Sequence, residues 1–326
     1  MRNLGIEFPA PGEMRFYDLG PPPAPGPRQV LIETHYSGVT NGTERHALLG
    51  EHGWQGAFPG RPGYQHVGRM LAIGEGATGW AVGDWVYYGR YVGHRGWHLQ
   101  EVCDADPQSY DSHLCLRLPD AAEYHPYALL GVAGVATRGV RRCRVAAGQR
   151  VWVAGAGLIG QFAAQVARAM GAQVTVTDRD RYRLRQAKLL GAHRVLDARE
   201  RELAAALQEG GPYQRIIDAC GAQGLLAQVE QAGLLAYQGA ICLLAVRGET
   251  SFNWGMMHGR EASLEVSCHY SLDDLRLVLD FLERGLVQSR PLIKHLVPVD
   301  QAPAIYATLR DHPEQLLGVV FDWGGG

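Results

Sequence analysis

Hydrophobic and polar positions change period several times along this chain. The sharpest succession lies between Arg150 and Asp178, RVWVAGAGLIGQFAAQVARAMGAQVTVTD. Val151, Trp152, Val153 and Ala154 form a continuous apolar run, the pattern of a strand buried on both faces. After a glycine turn, Ile159, Phe162, Ala163, Val166 and Met170 recur at helical spacing. Gly171-Ala172 breaks that helix, and a second apolar run ends at Asp178. The alternation continues with a helix over Arg181–Leu190 stopped by Gly191, a short strand over Arg194–Leu196 and a helix over Arg199–Gln208. Buried strands follow over Arg215–Ala219 and Ala240–Ala245. Strands alternating with helices predict a doubly wound parallel α/β sheet for residues 122–267.

Both ends read differently. Residues 1–121 carry short alternating runs, Gln29–Thr34, Val67–Ile73 and Asp84–Tyr88, broken by glycine and proline, which predicts a small β-barrel. Pro21–Pro27 is a stiff connector. Residues 268–326 hold an amphipathic helix over Leu272–Arg284, a second over Ala302–Arg310 and a strand over Leu317–Asp322. They have no core of their own, so they are expected to join residues 1–121.

The bulk numbers narrow the class. With 326 residues, 46% hydrophobic and net charge −2, the chain has room for two cores and no strong attraction to nucleic acid or an anionic membrane. No apolar run reaches the ~18 residues of a membrane span, and no secretory leader is read at the N-terminus. The six cysteines, Cys103, Cys115, Cys143, Cys220, Cys242 and Cys268, are scattered without a C-x-x-C, as expected of reduced thiols in a cytoplasmic protein.

Gly155, Gly157 and Gly160 spell G-x-G-x-x-G between a strand and a helix. The first makes the tight turn, the second lets backbone approach a pyrophosphate, and the third lets helix and strand pack closely. Free N–H groups at the helix start, around Leu158 and Ile159, then face the phosphates. Asp178 follows 18 residues after the third glycine. Its carboxylate suits both ribose hydroxyls and repels a 2′-phosphate, which favours NAD over NADP. Arg179, Arg181 and Arg183 leave the opposite choice open, since an arginine pairs well with a phosphate.

Signposts in order along the chain resemble the medium-chain dehydrogenase/reductase superfamily: Ser37-Gly38-Val39, Pro62-Gly63-Tyr64-Gln65-His66-Val67-Gly68, Val82-Gly83-Asp84-Trp85-Val86, Ala133-Gly134-Val135-Ala136-Thr137, Ala147-Gly148-Gln149-Arg150-Val151 and Gly155–Gly160. The resemblance implies a GroES-like β-barrel catalytic domain, residues 1–121 and 268–326. It also implies a Rossmann NAD-binding domain, residues 122–267, an active site between them and a homodimer. By position it carries NAD contacts to Asp178, Arg183, Thr137, Cys220 and Ala245.

Departures from that family are informative. Zinc-dependent members use Cys, His or Cys, and Glu; here Thr40, Tyr64, Gln65 and Val132 stand at or near those places, and the four-cysteine structural lobe is missing. His46, His52, His66, His94, His98 and His113 offer no tight ligand spacing and read as surface or core histidines, so no metal is expected. Asn41-Gly42-Thr43-Glu44 together with Pro62–Gln65 resembles a subset that contains bacteriochlorophyllide a dehydrogenase.

Without zinc, an acid or hydrogen-bond donor must stabilise the alkoxide. Tyr64 is the first candidate, provided nearby charge lowers its pKa. Thr43 and Glu44 sit in what reads as a loop; Glu44 would accept a proton or orient Tyr64, or else pair with Arg45 or Arg69. His46 would pass the proton to water. Asn41 and Gln65 are candidate hydrogen-bond partners of substrate, and Trp54 and Phe58 a candidate aromatic wall. The expected activity is NAD(H)-dependent, zinc-independent oxidation of a cyclic or aromatic-bearing secondary alcohol, or the reverse ketone reduction. NADPH-dependent reduction of an activated C=C bond and non-catalytic NAD binding are the alternatives.

Overall fold

The computed structural model describes residues 2–51, 57–89, 91–102 and 114–324. The chain divides into two compact units, one of Met1–Gly131, Ser271–Asp273 and Ser289–Gly326, the other of Val132–Tyr270 and Asp274–Gln288. In chain order the elements are β1 (Leu4–Glu7), β2 (Arg15–Asp18), β3 (Gln29–Val39), α1 (Asn41–Leu49), β4 (His66–Ile73), β5 (Trp85–Tyr88), β6 (Trp97–Glu101) and β7 (Cys115–Arg117). Then come α2 (Leu130–Arg142), β8 (Arg150–Ala154), α3 (Leu158–Ala169), β9 (Gln173–Asp178), α4 (Arg181–Leu189), β10 (Arg194–Asp197), α5 (Leu203–Gly210), β11 (Tyr213–Asp218), α6 (Leu225–Gln231) and β12 (Leu235–Leu243). Last are α7 (Trp254–Gly259), β13 (Ser263–Val266), α8 (Leu272–Glu283), β14 (Ile293–Pro298), α9 (Ala302–Asp311) and β15 (Gly318–Asp322).

In the second unit six parallel strands lie in the order β10-β9-β8-β11-β12-β13. Taken in chain order within the sheet this is 3-2-1-4-5-6, the dinucleotide-fold arrangement whose direction reverses beside β8. Ala154 is level with Thr177 on one side and Asp218 on the other, and Asp218 with Leu243. The register therefore brings Gly155, Asp178, Cys220 and Ala245 to one rim of the sheet. Trp152, Ile216, Ile241 and Leu243 pack with Leu225, Val229, Met256 and Met257 in the core on one sheet face. The expected helix from Arg199 starts later, at Leu203. Asp197 accepts the N–H and guanidinium of Arg199, which favours a turn there.

The first unit is built around β3. Its first half pairs with β6 and β4, its second with β4 and β15. The sheet order is β14-β15-β3-β4-β5-β7, antiparallel except for β14 with β15. The C-terminal residues thus return to this unit through β15, as their lack of an independent core implied. One core gathers Ile6, Phe8, Val39, Leu48, Tyr306 and Phe321, and another Val30, Ile32, Met70, Val86 and Tyr88. No helix among the described residues is long and apolar enough to cross a membrane.

Candidate functional site

The rim of the second unit is a cradle with open space in it. Gly155 turns the chain at φ +99°, where side chains are strained. A Cβ on Gly160 would lie 1.8 Å from the Gly155 carbonyl oxygen, whereas a Cβ on Gly157 would meet nothing within 4 Å. Helix α3 begins at Gly157 with no side-chain cap, and its first intrahelical bond is from Gln161 N–H to the Gly157 carbonyl. The N–H groups of Leu158, Ile159 and Gly160 are thus the orphan donors of a helix start, facing the space that Gly157 leaves. Asp178 braces the turn: its carboxylate accepts the Ala156 N–H at 2.6 Å and the Asp180 N–H at 2.8 Å. These residues fit a dinucleotide diphosphate and ribose.

Asp218 does the same for the adjoining loop. Fully buried, it accepts the N–H groups of Cys220 and Gly221 and an Nη1–H of Arg247 at 2.7 Å. Arg183 donates its N–H to Asp180, the N-cap of α4, and Gln161 donates to the Arg183 carbonyl. Thr137 is buried in α2 with its hydroxyl donated to the Ala133 carbonyl, so it holds a helix turn.

In the first unit the polar candidates converge. Thr43 and Glu44, expected in a loop, lie in the first turn of α1. Sequence offered no apolar stripe there, because Glu44 and Leu48 are the buried positions of this helix. Glu44 pairs with neither Arg45 nor Arg69. It is 2% exposed, and its Oε1 accepts the Thr40 N–H at 2.8 Å. Its Oε2 accepts the Tyr306 hydroxyl at 2.6 Å and lies 3.2 Å from His94 Nε2. His94 Nδ1 meets Ser37 Oγ at 2.8 Å, and Trp323 Nε1 donates to that same oxygen at 2.9 Å.

His94 is the site residue that sequence reasoning set aside. Its hydrogen-bond partners are Ser37 and Glu44, and Glu44 in turn binds Tyr306; no local spacing joins these positions. The one signal was Gly63 at φ +108°, whose absent Cβ makes room for the His94 ring 2.7 Å away.

Thr40, Tyr64 and Gln65 meet as well. Gln65, fully buried, donates from Nε2 to the Thr40 hydroxyl at 3.3 Å and to the Gly38 carbonyl at 3.2 Å. Tyr64 is buried and hydrogen-bonded to the Thr40 side chain. Burial pushes the Tyr64 pKa well up, the Thr40 hydrogen bond opposes this, and the charge of Glu44 adds to the rise. This corrects the expectation of a phenol made acidic by nearby charge.

The other candidates are placed apart from this group. His46 Nδ1 lies 2.9 Å from Glu51 Oε2. Asn41 donates to the Leu316 carbonyl. Phe58 is half-buried and packs against the core that includes Leu48 and Tyr306. Trp54 falls outside the described residues. Tyr87 and Tyr88 are core, Trp85 stacks on Tyr124 at 4.0 Å, and exposed Tyr91 lies 6.3 Å from the Tyr64 ring.

Two family descriptions match the chain: alcohol dehydrogenase GroES-like domain over residues 26–138 and zinc-binding dehydrogenase over residues 159–284. Human sorbitol dehydrogenase is 28% identical over 346 residues, covering 94% of this chain and 93% of that one. The alcohol dehydrogenase patD of Aspergillus clavatus is also 28% identical, over 250 residues, covering 70% of this chain and only 63% of that protein. An NADH complex of the Escherichia coli alcohol dehydrogenase rspB superposes with TM-score 0.84 at 20% identity, covering 98% and 99% of the two chains. A Sinorhizobium meliloti chain bound to NADP gives TM-score 0.81 at 18% identity, covering 98% of each. The chain belongs to the medium-chain dehydrogenase/reductase superfamily. It is an alcohol dehydrogenase-like oxidoreductase with a GroES-like unit and a Rossmann unit.

Zinc, which one family description names, does not fit the residues at its place. Thr40, Tyr64 and Gln65 are neutral, with Tyr64 and Gln65 each hydrogen-bonded to Thr40, and the Gln65 amide nitrogen presents a donor where a ligand must present a lone pair. Among the described residues no group of three His, Cys, Asp or Glu is arranged to hold a metal ion.

Proposed function

We propose that this protein is a zinc-independent, NAD(H)-dependent dehydrogenase of secondary alcohols, or ketone reductase, with Tyr64 as its proton donor and acceptor. The observation that carries this is the hydrogen-bonded Thr40–Tyr64–Gln65 group at the zinc position, in a chain that keeps the glycine cradle and Asp178. Bound NAD supplies or takes the hydride. Gln65 donates to Thr40, which leaves the Thr40 proton for Tyr64 Oη and orients the phenol. In reduction Tyr64 donates its proton to the substrate oxygen as charge develops there. A phenol whose pKa is raised by burial is still a stronger acid than an aliphatic alcohol, so transfer to an alkoxide remains downhill. Asp178 selects NAD because a 2′-phosphate would meet its carboxylate, and that residue alone carries the preference. The edge strand β13, with Tyr237, Trp254 and Val266 exposed nearby, supports a homodimer.

The first test is titration of metal-stripped protein with NADH and NADPH by nicotinamide fluorescence, with zinc measured by elemental analysis. Tight NADH, weak NADPH and no zinc are expected. Preference for NADPH would favour reduction of an activated C=C bond, and stoichiometric zinc would overturn the reading. Tyr64→Phe should lower kcat at least ~100-fold with NADH affinity kept; turnover within about twofold would remove Tyr64 from the reaction.

A further inference from the structure

The hydrogen bonds around Glu44 have a direction. Glu44 Oε2 can only accept, so His94 Nε2 donates to it; the Ser37 hydroxyl, which accepts from Trp323 Nε1 at 2.9 Å, is then placed to donate to His94 Nδ1 at 2.8 Å. The ring hydrogen on Nε2 is aimed at Glu44 Oε2 3.2 Å away. Tyr306 donates to the same oxygen and the Thr40 N–H to the other. Every bond ends on the carboxylate, which has only acceptors to offer. Ser37, Glu44 and His94 are all buried. A carboxylate in such a place is held by its donors, and removing one leaves the rest of the network unsatisfied. It is linked to the proposed reaction through Thr40, whose N–H it binds and whose hydroxyl meets Tyr64 and Gln65.

We propose that His94 is a positioning residue: with Tyr306 it fixes the Glu44 carboxylate beneath Thr40, and that carboxylate keeps Tyr64 a proton donor. The inference rests on the reading of Tyr64 given above. Among the described residues, the titratable groups around Tyr64 and Glu44 include His94 and Tyr91 from the segment between β5 and β6, Tyr306 from α9, and His66, whose ring lies 5.7 Å from that of His94. Burial and the Glu44 charge both hold the Tyr64 proton. Glu44, buried and accepting from Thr40, Tyr306 and His94, is a holder of the network and not the group that takes the substrate's proton. Reduction, which needs the phenol, runs level from neutral to mildly alkaline pH. Alcohol oxidation, which needs the phenolate, climbs as pH rises.

The test reads Tyr64 directly. Protein labelled with 13Cζ-tyrosine is titrated by NMR, with Tyr64→Phe assigning the signal, and kcat and KM are followed against pH in both directions. Glu44→Gln should lower the Tyr64 midpoint by about one pH unit or more and move the oxidation limb down with it. His94→Ala should cut kcat about tenfold or more with KM for NADH kept, and His94→Gln, whose amide still donates to Glu44, should recover part of it. Melting curves confirm that each variant is folded. If Glu44→Gln does not fold, His94→Gln and Tyr306→Phe decide, each being expected to change Tyr64 titration and kcat together. A folded Glu44→Gln with an unmoved Tyr64 midpoint, or His94→Ala with unchanged kcat, overturns the proposal. Failure of wild-type protein to bind NADH sinks the parent reading, while the NMR titration still decides the role of Glu44.

Discussion

Gly157 and Gly160 share a motif and differ in what a methyl group would meet. At Gly160 an added Cβ would strike the Gly155 carbonyl at 1.8 Å, so helix α3 must move off β8. Gly160→Ala is expected to cost about 1–3 kcal/mol of stability as overpacking and to lose NADH binding with it. At Gly157 the space is open, and Gly157→Ala should leave the melting temperature within a degree or two while weakening NADH binding, because the methyl occupies the approach of the diphosphate. Melting curves and fluorescence titration on the two variants separate these roles; equal losses of stability would refute the distinction. The close packing at Gly160 and the open space at Gly157 were legible in sequence, because the motif is local. Asp178 was legible too. His94 was not, since Ser37 on β3 and Glu44 on α1, which also binds Tyr306 of α9, meet it only in the folded unit.

Elements were read well where hydrophobic period was strong. Strands β8, β9 and β11 and helices α3, α4, α8 and α9 lie within a residue or two of their expected spans. Helix α1 escaped because it buries a carboxylate instead of an apolar face, and the clearest signal was its stop, Gly50, in the left-handed conformation. Helix α8 shows another polar anchor that periodicity misses. Asp274, 2% exposed, accepts from Arg138 at 3.2 Å and from Arg141 at 2.5 Å, both on α2. The arginines are themselves part-exposed, so Asp274→Asn is expected to cost about 2 kcal/mol, less than a fully enclosed pair would. Chemical denaturation should show that loss in the midpoint with the slope unchanged; a midpoint shift under ~0.5 kcal/mol equivalent would mean the pair is screened like a surface bridge.

The two units are expected to differ in their response to acid. His35, His66, His125 and His295 all lie in the unit built around β3, and burial lowers the pKa of each, His66 most. Their charge environments differ: Glu33 offsets part of the shift at His35, while His94, His98 and Arg95 deepen it at His66. The sign follows from where protons bind. Folded, these rings stay neutral below pH ~6.5; unfolded, they take up protons there. The unfolded state then binds more protons, so stability falls as pH drops through ~6.5, by up to ~1.4 kcal/mol per pH unit for each such ring. Four such rings lie in the first unit, so acid should open the first unit ahead of the second. Hydrogen exchange followed by mass spectrometry between pH 8 and pH 5, with rates corrected for intrinsic pH dependence, reads this directly. Peptides from β3, β4 and β5 should lose protection before those from β8, β9 and β11. His66→Gln, tested by melting over the same range, should flatten the acid limb even if it lowers stability at pH 8. Earlier opening of the Rossmann strands, or an acid limb unchanged by His66→Gln, would place the acid sensitivity elsewhere. The same measurement bears on catalysis, since Glu44, His94 and Tyr64 sit in the unit that acid loosens and the dinucleotide cradle does not. Below pH ~6 activity should therefore fail before NADH binding does, and the two curves should separate by the difference between the units' own stabilities.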